Sequence, residues 1–425
     1  MATLAAGVQT RETERLWFGK VTGDQRRAFL AAYLGWMLDG FDFSIVTFLL
    51  VDIQRSFTVN SALAGALGTV ALLFRVVGGV GAGTASDRWG RKGPLMFSIV
   101  WYSLFAFLSG FSTSYGMLFA CRALFGVGMG GVWAAGMPLA IEHSPSRLRG
   151  LVSGLLQGGY SMGVLLAAIV YQLVYPLVGQ REDGWRVLLW LGILPALLVF
   201  WIMSCVKESP VWLERQRHLR DTGNHDTLSF SRLFRRELLP ITVHTTLLMG
   251  SLLFLYNSIT WWYPTLLGQI GRRPLPFQVA FQGGAIIGAL ACGRLSETSL
   301  GRRGAAGLAT LIGLAAIPLY LFTTNTVLLI AGAATMGFFG TGNFGIVPGY
   351  LNERFPTGSR AGGAGFAYQA GAGLASVAPA FIGTLHDRGM AWAPAMAVCI
   401  AASGVLVLVL LWLGPETRGR ELFHG

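Results

Sequence analysis

The stretch Gly83-Thr-Ala-Ser-Asp87-Arg88-Trp-Gly90-Arg91-Lys92 closes one long apolar segment, and a weaker copy, Gly293-Arg-Leu-Ser-Glu297-Thr-Ser-Leu-Gly301-Arg302-Arg303, closes another. Two further motifs recur in the same register. Glu142-His-Ser-Pro145-Ser-Arg-Leu-Arg149-Gly150 is answered by Glu353-Arg-Phe-Pro356-Thr-Gly-Ser-Arg360, and Lys207-Glu208-Ser209-Pro210 by Pro415-Glu416-Thr417-Arg418-Gly419. The halves repeat at an offset of 211 residues. Three paired motifs in register imply a chain built of two related halves joined by the polar stretch 205–239.

The setting agrees. Of 425 residues, 53% are hydrophobic and only 12% charged. A soluble protein carries about 25% charged residues. A membrane-crossing helix needs roughly 20 mostly apolar residues, and the sequence supplies such windows repeatedly. The hydrophobic pattern predicts spans at 28–50, 62–84, 94–112, 116–138, 150–173, 186–204, 240–264, 276–294, 305–322, 327–349, 361–384 and 392–413. That predicts an all-α polytopic membrane protein of twelve transmembrane helices in two pseudo-symmetric six-helix bundles. The parts are a segment 1–27, a bundle 28–204, a central loop 205–239, a second bundle 240–413 and a tail 414–425. Residues 1–27 lack the apolar core of a cleavable signal peptide. The 58 glycines fit helices that pack through small side chains. Cys121, Cys205, Cys292 and Cys399 match no metal or disulfide spacing and read as packing residues.

The net charge of +12 is a matter of topology rather than of nucleic-acid binding. One set of loops, including both termini, holds 24 of the 32 Lys and Arg, and the opposite set holds six. The positive-inside rule then places both termini and the 205–239 loop in the cytoplasm. The remaining two, Arg75 and Arg122, fall inside spans.

Two aspartates do the same. Leu34 to Val51 reads LGWMLDGFDFSIVTFLLV and carries Asp39 and Asp42 on one helix face. At ~1.5 Å per residue, Asp39 and Arg75 reach one depth and Asp42 and Arg122 another, all near the middle of a ~30 Å core. This predicts two stacked charge pairs. Intramembrane charges face the protein interior and mark transport pathways. The plainer reading of each pair is a salt bridge that holds helices together. An aspartate beside an arginine stays ionised, while one parted from it in an apolar setting takes up a proton. A substrate carboxylate competing for the arginine therefore couples its own movement to that of a proton. On this reading Asp39 and Asp42 carry protons, and Arg75 binds the carboxylate through its planar fork, with Arg122 as second choice.

The second half offers neutral polar residues: Asn257, Gln282, Asn343, Tyr368 and Gln369. They serve either substrate hydroxyls or helix–helix contacts. Trp261, Trp262 and Tyr263 mark an interfacial belt or a cavity cap. His244 reads as interfacial. Gly126-Val-Gly128-Met-Gly130-Gly131 lacks the strand and Lys-Ser/Thr of a phosphate loop and reads as a packing face. No catalytic constellation or metal cluster stands out, so no enzyme activity and no cofactor beyond the coupling proton are expected.

These motifs resemble the major facilitator superfamily over essentially the whole chain. Its most specific marks here are Gly83–Lys92, the copy at 293–303, and Arg122-Ala-Leu-Phe-Gly126-Val-Gly128. Leu38-Asp39-Gly40-Phe41-Asp42-Phe43, Ser153 through Tyr160, and Tyr350 through Arg360 resemble the sialate:proton symporters and their metabolite relatives, and aromatic-acid:proton symporters begin similarly. Val132 stands where many relatives have Glu, and Tyr256 through Thr265 lacks the His, Gln and Asp of lactate permeases. The Gly-Pro pair of drug exporters is absent from Gly158-Gly159-Tyr160-Ser161-Met162-Gly163. The resemblance implies proton-coupled uptake of a small organic anion by alternating access, by a monomer in the plasma (inner) membrane. A facilitator or exporter of similar anions, or a transporter-like sensor, is the alternative. It adds Tyr160 to the substrate site. It implies that Asp87, Arg88, Arg91, Glu142 and Arg149, with Glu297, Arg302, Glu353 and Arg360 in the second half, close an inner gate. Topology control by positive charge is the other reading of these loops. For Arg122 the resemblance implies packing or proton transfer.

Overall fold

The computed structural model describes residues 22–144, 149–178, 183–222, 233–356 and 360–418. The described residues contain no β-strand. The first half holds α1 (Gly23–Phe57), α2 (Ser61–Trp89), α3 (Lys92–Ser109), α4 (Tyr115–Glu142) and α5 (Arg149–Val178), followed by α6 (Gly184–Trp190), a 3₁₀ turn (Leu191–Ile193) and α7 (Ala196–Cys205). Then comes α8 (Pro210–Thr222), where the sequence predicts only a polar loop. The second half holds α9 (Leu239–Thr260), α10 (Tyr263–Gln269), α11 (Pro274–Leu295), α12 (Gly301–Ala315) and α13 (Ile317–Leu321). It continues with α14 (Thr326–Thr335), α15 (Val347–Arg354), α16 (Arg360–Ala375), α17 (Ala378–Asp387) and α18 (Trp392–Leu413).

Helix starts follow local chemistry. Thr22 and Gln25 form a reciprocal capping box at α1. The side chains of Asn60 and Ser114 accept from Leu63 N and Met117 N to start α2 and α4. At 35 residues α1 is ~52 Å long by helical rise, well past the predicted span. Ten helical segments among the described residues are long and apolar enough to cross a membrane by length and composition. The predicted spans 305–322 and 361–384 are helical but interrupted, at Ala316 and at Ser376–Val377. Pro318 and Pro379 follow those breaks as the second residues of α13 and α17, where a missing N–H costs nothing. A π-helical turn (Met336–Gly340) and a 3₁₀ turn (Gly342–Gly345) break the segment between α14 and α15.

Within the first half α1 packs on α5, and α4 on α2 and α3; within the second α9 packs on α16 and α18, and α11 on α14. The halves meet where α2 packs on α16 and α17, and α5 on α11. The glycine-rich run in α4 is a packing face. A Cβ at Gly126 would collide with the Ala71 carbonyl, and one at Gly130 with the Arg75 carbonyl. Small residues thus bring α4 against the backbone that carries Arg75.

Candidate functional site

A cavity of about 680 Å³ lies between the halves. Tyr33, Trp36 and Phe43 of α1 line it at helical spacing, with Gly40 on the same stripe. Gly40 admits α5, since a Cβ there would sit 2.9 Å from the Tyr160 carbonyl oxygen. Arg75 reaches the cavity from α2, Tyr160 from α5, Tyr256 and Asn257 from α9, and Tyr368 from α16.

Arg75 is 4% exposed. Its guanidinium lies over the rings of Trp36 (5.1 Å) and Tyr368 (5.6 Å). Trp133 braces both rings, 4.8 Å from Trp36 and 5.3 Å from Tyr368 by centroids. The aromatic faces hold the cation while Nε and Nη2 make no hydrogen bond to the protein. A buried cation with free N–H groups in a cavity wall is an acceptor site for an anion.

Asp39, Asp42 and Arg122 lie behind that wall, outside the cavity lining and fully buried. Asp39 is within electrostatic reach of Arg75 and Arg122, and Asp42 of Asp39 and Arg122. The two expected ion pairs are not made: no contact within 4.0 Å joins an aspartate to either arginine. Both Asp39 oxygens, Asp42 Oδ2 and all three Arg122 side-chain nitrogens bond no protein group. Aromatic faces take the guanidinium groups instead, with Arg122 over Phe125 at 4.1 Å. The four charges are neighbours, as the sequence predicts, but the ion pairs are not made.

Of the other predicted substrate residues, Tyr160, Asn257 and Tyr368 line the cavity. Asn257 also donates to the Ala375 carbonyl at 3.4 Å. Trp261, Gln282, Asn343 and Gln369 are buried and do not line it. Trp261 packs on Phe43 at 5.3 Å and against Gly68. Gln282 sits beside Tyr256, Gln369 against Gly79, and Asn343 donates to Thr310 Oγ1 at 2.8 Å inside the second half. His244 Nε2 contacts the Leu410 carbonyl at 2.9 Å, a helix-to-helix role. Sequence reasoning overlooked Tyr33, Trp36 and Tyr256; for the first two, the spacing to Gly40 and Phe43 was the available signal.

Residues predicted to gate form two matching clusters, one per half. Arg91 Nη1 donates to Asp87 at 2.6 Å, and its Nε and Nη2 donate to Glu142 at 3.3 and 3.2 Å. Arg302 pairs with Glu297 at 2.7 Å, and its Nε and Nη2 donate to Glu353 at 3.3 and 2.9 Å. Two glutamates outside the predicted set complete them. Glu208 accepts from the backbone N–H groups of Arg91 (2.7 Å) and Lys92 (3.1 Å), and Glu416 from those of Arg302 (2.9 Å) and Arg303 (3.0 Å). Both place a carboxylate at a helix N-terminus. Partial burial of Glu416 opposes its charge, but backbone N–H groups of Arg418, Arg303, Arg302 and Thr417 outweigh it and hold the carboxyl below its ordinary range. Each cluster ties helices within its own half. Arg88 stands apart over Trp89 at 5.8 Å. Arg149 and Arg360 begin α5 and α16, and their side chains lie outside the described residues, as do Pro145 and Arg147.

At the opposite end the halves are latched. Asp387 of α17 accepts from Ser61 N at 3.0 Å and Ala62 N at 2.7 Å, capping α2 across the two halves. Trp262 Nε1 donates to the Pro379 carbonyl at 2.9 Å. The cavity instead reaches Arg294, Glu297 and Arg302. Opening the Asp387 end requires breaking this cap. A carboxylate on a helix N-terminus is worth about 0.3–1 kcal/mol, so Asp387→Asn is expected to raise the population open at that end by about two- to fivefold. Thiol labelling of a cysteine placed at the buried Ala64, near the start of α2, measures it, and an unchanged labelling rate would show that the cap carries none of the closure.

A cavity between two matching halves of apolar helices, latched at one end and reaching toward the other, is the architecture of a membrane transporter. The Sugar (and other) transporter family model matches residues 28–226. The chain is 35% identical to the "Probable 4-methylmuconolactone transporter" of Cupriavidus pinatubonensis, over 95% of this chain and 93% of that one. It is 30% identical to the "Sialic acid transporter NanX" of Escherichia coli, over 93% of this chain and 95% of that one. Its fold matches the inward-open xylose transporter XylE from E. coli with a TM-score of 0.74 at 20% identity, over 93% of this chain and 97% of that one. The chain belongs to the major facilitator superfamily, and it is a multi-pass membrane transporter of organic solutes.

Proposed function

We propose that the protein is a proton-coupled symporter that takes up a small organic anion bearing a carboxylate. The single observation that carries this is Arg75, buried in the cavity wall with free N–H groups, beside two buried aspartates that lack an ion partner. The substrate carboxylate takes Arg75. Asp39 and Asp42 carry the proton, with Arg122 setting their electrostatic surroundings. Tyr160, Tyr256, Tyr368 and Trp36 offer ring faces and hydroxyl or indole groups to the rest of the molecule. The relatives named for sialic acid and for 4-methylmuconolactone support an organic acid as the cargo.

In this reading twelve spans form two six-helix units, 28–204 and 240–413, in the plasma membrane. Both termini and the connection 205–239 face the cytoplasm, as the distribution of Lys and Arg requires. The Arg302 end of the cavity is then cytoplasmic, and the conformation inward-facing. The Arg91 and Arg302 clusters keep each unit rigid while the units rock. The transporter works as a monomer.

The test is uptake into proteoliposomes of labelled sialic acid, benzoate, lactate and gluconate, with and without an inward proton gradient. One of these is expected to accumulate above its outside concentration only with the gradient. Equilibration at one rate with or without it would make the protein a facilitator.

A further inference from the structure

The interior of the first half holds a string of polar groups that the cavity does not touch. It begins at the Asp387 end with Ser112, in the turn between α3 and α4, and Cys121 beside it on α4. It continues through Arg122 of α4 and through Tyr102 and Ser103 of α3 to Asp42 and Asp39 of α1. All seven are 7% exposed or less, and none lines the cavity.

Asp42 Oδ2, both Asp39 oxygens and the three Arg122 nitrogens bond nothing in the protein, and the hydroxyls of Tyr102 and Ser112 find no protein partner beyond the neighbouring Ser103 hydroxyl and Cys121 thiol. Buried polar groups are nearly always satisfied, and each unsatisfied one costs about 1–3 kcal/mol. So many on one line imply a shared mobile partner, and water is the partner that fits a polar enclosure. The surrounding backbone is also irregular at the right place. The 3₁₀ turn Leu191–Ile193 interrupts the helix against Asp42, and a Cβ at Gly192 would sit 3.0 Å from Asp42 Oδ1.

We propose that this string is a hydrated proton route from the Asp387 end to Asp42, separate from the substrate cavity, with Tyr102 relaying the proton. The inference rests on the symport reading. In the relay, the Tyr102 hydroxyl gives its proton to Asp42 and takes one from the water behind it, so no charge stays on the tyrosine. The charged groups bordering the route are Asp39, Asp42, Arg122, Arg75 on the cavity side, and, at its mouth, Arg186, which donates to the Ser112 carbonyl and pairs with Asp183 at 2.7 Å. Tyr102, Cys121 and Tyr160 are its titratable neutral neighbours. Arg122 sits on the line with its charge fixed, and such an arginine opposes a free proton current in a pore. Asp42 supplies the pull that draws a proton past once it has given up the one it carried.

Tyr102→Phe and Ser112→Ala each delete one hydroxyl whose sole protein partner is a neighbouring hydroxyl or thiol, so fold stability is expected to be little changed. Tyr263→Phe is the control: its hydroxyl is equally buried and unbonded, but lies in α10. The probe is the carboxylate that accumulates in the uptake panel. Two rates are read in proteoliposomes, substrate-driven proton influx with an internal pH dye and substrate counterflow without a gradient. For Tyr102→Phe and Ser112→Ala, influx is expected to fall about tenfold or more, a proton-transfer effect, while counterflow stays at the wild-type rate. Tyr263→Phe keeps both rates. Wild-type influx in both test variants overturns the route, and so does an equal fall in influx and counterflow. A wild type without substrate-driven influx overturns the symport reading itself, and that result appears before any variant is compared.

Discussion

Arg75→Ala weakens carboxylate binding by about ten- to 150-fold. Among the described residues the guanidinium is the one cation in the cavity wall that is both buried and free of carboxylate partners: of the other lining arginines, Arg302 is tied to Glu297 and Glu353, and Arg294 is exposed at the mouth. A hydrogen bond to a charged group contributes about 1.5–3 kcal/mol, and each 1.4 kcal/mol is about a factor of ten in affinity. Removing Arg75 also removes a buried charge with no counter-ion, so the protein is not destabilised in proportion. Binding and stability should therefore separate: affinity collapses while the thermal midpoint in detergent holds or rises. Arg75→Lys keeps the charge but loses the planar fork, and recovers part of the affinity. Equilibrium binding of the transported carboxylate to purified protein measures both. Affinity within twofold of wild type in Arg75→Ala would move the anion site elsewhere.

Much of this architecture is legible in the sequence because the chain says it twice. Arg91 with Glu142 and Arg302 with Glu353 share a separation of 51 residues, and each pair is hydrogen-bonded in the structure. Helical rise alone placed Asp39, Asp42, Arg75 and Arg122 close together in depth. It gave no access to rotation about each helix, so the expected ion pairs turned out to be neighbours, with the aromatic faces of Trp36, Tyr368 and Phe125 holding the arginines. The helix breaks were signalled by Pro195, Pro264, Pro318 and Pro379, but a hydropathy window averages over them. Asp387 was invisible for a different reason. Its partners Ser61 and Ala62 are backbone N–H groups 326 and 325 residues away, and a cap of that range exists only once the halves have met. Glu208 and Glu416 were visible as a repeat, yet their bonds run to backbone, which no side-chain pattern reveals.

Asp42→Asn abolishes accumulation and leaves exchange intact. For one proton carried with each monoanion, a gradient of one pH unit supports about tenfold accumulation, because 1.4 kcal/mol is a factor of ten. Asparagine keeps the shape of the protonated acid and fixes it neutral. The variant can then bind the anion at Arg75 and rock between states, but it has no proton to deliver, so the inside-to-outside ratio settles near one. Asp39→Asn tests the other carboxyl. Asp42 abuts the Leu191–Ile193 turn, while Asp39 lies within electrostatic reach of both arginines. Within the proposed proton-carrying pair, that arrangement favours Asp42 as the main carrier and Asp39 as the group that also feels the substrate arrive at Arg75. Asp39→Asn is accordingly expected to shift the substrate affinity and keep part of the accumulation. Gradient-driven uptake and counterflow, read on the same vesicles, separate the two roles. Tenfold accumulation in both variants would show that neither aspartate carries the proton. Loss of counterflow together with accumulation would make the pair scaffold charges.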